Sequence, residues 1–161
     1  MKVKTALILC AGFGKRVQPI TDTIPKPLIN YKDETLLENT IKFLIKLKIS
    51  KIKINVFYLK EKIISFIENK NFPINIEIVD DGETILGTGG GILSLINKSD
   101  EEDVLVINPD TIWDDSFISS VIDMENIYFE KKIKNILLVV NNSSCFDRRF
   151  NGDFEIKNNI L

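Results

Sequence analysis

A chain of 161 residues with 44% apolar composition can bury one sizeable core and is too short for two ordinary domains. Its 21 Lys and Arg against 23 Asp and Glu give a net charge of -2, so no global field draws nucleic acid or an anionic membrane, and any anion site must be local. Histidine is absent from the sequence, which removes His-activated nucleophiles, His general bases and His metal ligands and leaves the chemistry to carboxylates, Lys, Arg and metal.

In chain order, the sequence predicts strands at 4–10 (KTALILC), 52–58 (IKINVFY), 74–79 (INIEIV), 103–108 (DVLVIN) and 135–141 (NILLVVN). Helical periods fall at 36–48, 60–69, 89–97 and 115–125, the first opening on a capping box of Thr35 and Glu38. Short β-branched runs alternating with helices predict an α/β fold, a Rossmann-like three-layer sandwich around a mostly parallel sheet, in one domain over 1–161. The opening apolar run, ALILCAG, is shorter than a secretion-signal core and is followed at once by charge, and no window approaches the roughly 18 apolar residues of a membrane span. Cys10 and Cys145 are isolated, which predicts two structural thiols and no disulfide; a cytoplasmic protein, monomeric or weakly dimeric, is expected. At the end, GDFEIKNNIL reads as a strand, an Asn-Asn turn and a return strand that stops after two residues, so the fold is expected to extend beyond residue 161.

The stretch LILCAGFGKRVQPITDTIPKPL, residues 7–28, is the richest in chemistry. Glycines after a strand let main-chain N–H groups approach phosphate oxygens, but a bare G-x-G is also a simple strand-ending turn. A dinucleotide fingerprint would need a third glycine where Val17 stands and a helix where Pro19, Pro25 and Pro27 follow. A Walker loop would need four residues between its glycines, and one residue separates Gly12 from Gly14. Arg16, the sole arginine before Arg148, offers a fork of donors suited to phosphate, and Lys26 is a compact charge fixed between two prolines. A second cluster, LGTGGG at 86–91, stands where a helix begins and offers free N–H groups. At 108–110, N-P-D closes an apolar strand, where a carboxylate can hold a hard cation such as Mg²⁺.

The pattern A-G-x-G-x-R-x-x-P-x-T at 11–21, at the end of the apolar run LILC and followed by P-K-P-L at 25–28, resembles the signature of the sugar-1-phosphate nucleotidylyltransferase family. The resemblance implies the nucleotide-diphospho-sugar transferase fold, with Ala11, Gly12, Gly14, Lys15 and Arg16 wrapping the triphosphate of an NTP and Lys26 at the α-phosphate. It further implies Gly87, Thr88 and Gly89, with Glu83 more loosely, on the nucleotide side, and Asp110 as the Mg²⁺ ligand. Arg16, Lys26 and Asp110 are then the catalytic residues. Pro109 departs from the N/D-G-D that the family usually shows there. Gly152-Asp153-Phe154, T-G-G-G-I at 88–92 and N-x-D-x-x-W at 108–113 resemble a branch containing N-acetylmuramate 1-phosphate uridylyltransferase, of cell-wall sugar recycling, and make Asn108 and Asp153 candidate sugar-phosphate contacts.

The implied reaction transfers a nucleotidyl group, expected to come from UTP, to a sugar 1-phosphate and releases pyrophosphate. A phosphate with a second pKa of about 6 is already largely dianionic, so no general base is required and the lack of histidine is no obstacle. LGTGGG also looks like guanylyl- and thymidylyltransferases, which leaves the base open. The family's second metal-binding aspartate, in a D-x-G-T element, has no counterpart in the sequence. A catalytically incomplete nucleotide-binding module is therefore the alternative of another class.

Overall fold

The computed structural model describes residues 1–141. Its first compact unit is Met1–Ser119. The elements in order are β1 (Thr5–Leu9), a two-stranded hairpin of β2 (Asn30–Tyr31) and β3 (Glu34–Thr35), α1 (Leu36–Lys46), β4 (Lys51–Val56), α2 (Lys60–Asn69), β5 (Asn75–Asp80), α3 (Gly87–Asn97), β6 (Val104–Ile107) and α4 (Phe117–Lys131). Three short 3-10 turns, Lys15–Val17, Ile20–Asp22 and Lys26–Leu28, occupy the segment after β1.

The main sheet runs β5-β4-β1-β6, every pair parallel. Its two inner strands are the most apolar, as strands covered on both faces must be: Ala6, Leu7 and Ile8 of β1 and Ile52, Ile54 and Val56 of β4 are all fully buried. The crossovers from β1 to β4 and from β4 to β5 run one way across the sheet, and the crossover from β5 to β6 runs back. Right-handed connection therefore places α1 and α2 on one face and α3 on the other. On the α3 face, Leu95 packs with Leu7 and Val79, joined by Leu9 and Val104.

Local sequence explains the helices. The Thr35 hydroxyl accepts from the Glu38 N–H at 3.1 Å and caps α1, as the capping box predicts. The predicted 36–48 span overshoots: α1 stops at Lys46, because Lys48 turns to φ 61 and the Ile49 N–H reaches back to the Leu44 carbonyl at 3.1 Å. Glu38 is buried beneath this surface; burial alone would raise its pKa, but ion pairs from Lys70 at 2.8 Å and Lys42 at 3.0 Å outweigh that and hold it below the usual carboxylate range.

The second unit begins at Ser120 and holds most of α4. The strand predicted at 135–141 is not formed: residues 135–141 belong to no helix or strand, and Leu137 and Val140 are 54% and 60% exposed. β-branched composition supplies propensity, but a strand exists only through ladder bonds to a neighbour, and none pairs with this run among the described residues. The reading of GDFEIKNNIL, together with Cys145 and Asp153, lies outside the described residues. No described helix is long and apolar enough to cross a membrane.

Leu7 has no exposed surface and belongs to the cluster under α3. Leu7→Ala is expected to lower the unfolding free energy by about 3 kcal/mol, measured by urea denaturation; a loss below about 1 kcal/mol would show that the site collapses around the change.

Candidate nucleotide-binding cleft

Where the crossover direction reverses, the chain leaving β1 and the chain leaving β6 part company, and the space between their carboxyl ends is the crevice in which parallel α/β sheets hold ligands. A cleft of about 440 Å³ opens there. The glycine loop contributes Ala11, Gly12, Gly14, Lys15 and Arg16, the P-K-P segment Lys26, the start of α3 Gly87 and Thr88, and the end of β6 Asn108 and Asp110. These ten are sequence-predicted site residues, brought together from four separate segments. Gly89 and Glu83 do not line the cleft, although both lie in the α3 approach: each is exposed, Gly89 in the first turn and Glu83 in the preceding loop.

The glycine loop is held from behind. Gly14 takes φ 67, ψ 25, and its carbonyl accepts from the Val17 N–H at 2.8 Å and the Thr21 hydroxyl at 3.0 Å. Thr21 is buried, and its own carbonyl accepts from the Tyr58 hydroxyl at 2.9 Å. Phe13 rests edge-on against Phe57 and tilted against Tyr58, with Lys15 5.4 Å above its ring. Thr21 is the final threonine of the A-G-x-G-x-R-x-x-P-x-T motif, and its place at the center of this brace is visible only in three dimensions.

Lys26 and Asp110 form an ion pair at 2.5 Å in the mouth of the cleft. The loop carrying Asp110 is fastened to α1. Asn39 donates to the Trp113 carbonyl at 3.0 Å and accepts from the Trp113 N–H at 2.8 Å, and Trp113 stacks on Phe43 with ring centroids 5.1 Å apart. The indole N–H completes the loop by donating to the Asn108 carbonyl at 3.3 Å. At the other wall α3 begins with no side-chain cap, so its first N–H groups and the positive end of the helix face the cleft unclaimed by a side chain. Among the described residues, the lining thus brings three cations, one carboxylate and unclaimed backbone donors to one place, a set suited to a polyphosphate.

Sequence reasoning missed Asn55, which lines the cleft from β4 and is 2% exposed. The available signal was a carboxamide in an otherwise buried strand, which must find partners. Cys10 at the cleft floor is fully buried; burial first, and the Asp110 carboxylate second, push its thiol far above its ordinary value, in keeping with a packing role.

Fold and site together define a parallel α/β domain with a cationic glycine loop after its first strand. Residues 5–145 match the NTP_transferase family, described as Nucleotidyl transferase, and the chain belongs to that family. It is 39% identical over 130 residues to a bifunctional protein GlmU of Methanococcus maripaludis, covering 81% of this chain and 30% of that protein. It is 31% identical over 113 residues to an N-acetylmuramate alpha-1-phosphate uridylyltransferase of Caulobacter vibrioides, covering 68% of this chain and 47% of that protein. A UDP-glucose pyrophosphorylase solved with UDP-glucose shares the fold at TM-score 0.64 and 23% identity, over 81% of this chain and 54% of that one. The chain therefore spans less than half the length of these two curated relatives.

Two expectations follow from the cleft. A Cβ at Gly14 would stand 2.8 Å from Thr21 Cγ2 in a left-handed backbone, so Gly14→Ala should weaken nucleotide binding by about tenfold or more, measured by calorimetric titration. At neutral pH the Cys10 peptide should stay unalkylated by iodoacetamide until the chain is unfolded, as read by mass spectrometry.

Proposed function

We propose that this chain carries the nucleotide-binding half of a sugar-1-phosphate nucleotidyltransferase, acting on UTP and, as acceptor, N-acetylmuramate 1-phosphate. The observation that carries the reading is the convergence of Lys15, Arg16 and Lys26 with the glycine loop, the open start of α3 and Asp110 in one cleft. The sugar-phosphate oxygen attacks the α-phosphorus in line and pyrophosphate leaves. Arg16 and the loop N–H groups hold the leaving pyrophosphate, and Lys26 neutralises the α-phosphate as charge builds. Gly87 and Thr88 receive the nucleoside, and Asn108 meets the sugar phosphate. The acceptor arrives deprotonated, so none of these groups has to move a proton.

Asp110 is the residue that would hold Mg²⁺, and it fits the ion's preferences: a partly exposed carboxylate in a phosphate cleft, leaving most coordination positions to phosphate oxygens and water. Bound there, the ion supplies further neutralisation of phosphate charge. Guanylyl or thymidylyl transfer remains the rival within the same class, since the α3 glycines alone do not select a base. A second reading, a module that binds nucleotide without turnover, is favoured by one observation: among the described residues, Asp110 is the only carboxylate lining the cleft.

In a pyrophosphate-release assay with UTP, Mg²⁺ and N-acetylmuramate 1-phosphate, turnover should fall by about 10² to 10³ in Lys26→Ala and in Arg16→Ala. Turnover unaffected by either change would refute the assignment. A thermal-shift panel of UTP, GTP, CTP and dTTP ranks the bases, because a ligand that binds only the folded chain raises its melting temperature. Binding of an NTP without any turnover would select the second reading.

A further inference from the structure

Asn55 sits in the row Leu9, Asn55, Val79 across β1, β4 and β5, on the face covered by α3. Both ends of its amide are engaged. Oδ1 accepts from the Cys10 N–H at 2.9 Å, and Nδ2 donates to Asp81 Oδ2 at 2.7 Å. Cys10 is the last residue before the Ala11-Gly12 turn, and β1 has already ended at Leu9, so the side chain takes over from the ladder in fixing where the glycine loop leaves the sheet. Asp81 opens the loop from β5 to α3, the segment that brings Ile85, Gly87 and Thr88 into the cleft. The helix approaches the same amide: a Cβ at Gly91 would stand 2.6 Å from Asn55 Nδ2.

We propose that Asn55, paired with Asp81, is a positioning residue that sets the distance between the triphosphate loop and the nucleoside wall. The inference rests on the reading of the cleft as an NTP site. One buried carboxamide touches all three pieces whose spacing an extended nucleotide would sense, and the chemistry of its partners dictates its orientation. A backbone donor needs the amide oxygen and a carboxylate needs the amide nitrogen. Asp81 Oδ1 is buried without a hydrogen-bond partner, so the hydrogen bond from Asn55 to Oδ2 is what orients this carboxylate.

Isosteric exchange separates this role from simple packing. Asn55→Asp keeps the shape but sets two carboxylates face to face, and their repulsion pulls the side chain away from the Cys10 N–H, whereas Asp81→Asn keeps an acceptor for Asn55. The combined N55D/D81N chain restores one donor and one acceptor with their places reversed. Titrating the 161-residue chain with UTP and Mg²⁺, at a temperature where every variant is folded, N55D should bind at least about tenfold more weakly, while D81N and the double variant stay within about threefold of the unchanged chain. An unaltered affinity in N55D, or a double variant as weak as N55D alone, overturns the proposal; a purely structural role would lower the melting temperature and leave the affinity of the folded chain unmoved. If N55D does not fold, a double variant that folds and binds upholds the latch, and one that does not fold overturns it. If the unchanged chain binds no NTP, the nucleotide reading falls, and the latch is then judged on exchange of the Cys10 amide proton: faster in N55D and restored in the double variant supports it, and equal rates overturn it.

Discussion

The arrangement depends on β1 being paired on both sides by strands reached in opposite directions. β4 lies against one edge with Ile8 facing Ile54, and β6 lies against the other with Ile8 facing Ile107. Because both neighbours are parallel, their carboxyl ends all point the same way, and because the chain reaches them by crossovers of opposite sense, the connections diverge there. A crevice at the end of β1 is thus a consequence of topology before any functional residue is considered. The glycine loop, the P-K-P turn and the loop after β6 are the segments that topology delivers to it.

A strand buried on both faces should be apolar throughout, and β4 is not: Lys53 is 1% exposed and Asn55 2%. Each exception has a different physical answer. Lys53 runs its aliphatic stem within the layer to its register neighbour on β5, where its ammonium lies 3.4 Å from Glu77. Asn55 lies two residues on, toward the carboxyl end, and is satisfied by the Cys10 backbone and Asp81. Each polar residue is therefore held by its own partner, with the apolar Ile52, Ile54 and Val56 between and beside them. Polar groups with specific partners cost little when paired and much when slipped, so they fix the register of β4 against β1 as well as the site.

The elements that the sequence made legible were those whose signal is local. The α2 span of 60–69 and the Thr35 cap depend on periodicity and on one side chain reaching its own helix, and both appear as expected. The ten cleft residues read from the two glycine clusters, the P-K-P segment and the N-P-D turn also converge, because strand-ending loops in a parallel sheet share one edge. What was illegible depends on distant partners. The run at 135–141 has every local property of a strand and is none, while the two-residue strands β2 and β3 have almost no local signal and pair through Asn30 with Thr35. Asn55 reads in the sequence as a minor flaw in a strand, since its partners lie 45 and 26 residues away.

The ion pair between Lys26 and Asp110 bears on how such a cleft can be both stable and ready. Their side chains are 28% and 38% exposed, so the pair sits in a solvent-screened mouth, where a contact of this kind contributes no more than about 1 kcal/mol. Burying both charges would have made the pair expensive to form and to part. On the proposed reading, the lysine left at the mouth has an internal counter-charge until a phosphate takes its place, and the carboxylate is released at the same moment for a cation. On the proposed reading, one displacement therefore readies two groups together, and its cost is small beside the interactions that a multiply charged triphosphate makes with Lys15, Arg16 and the backbone donors around them.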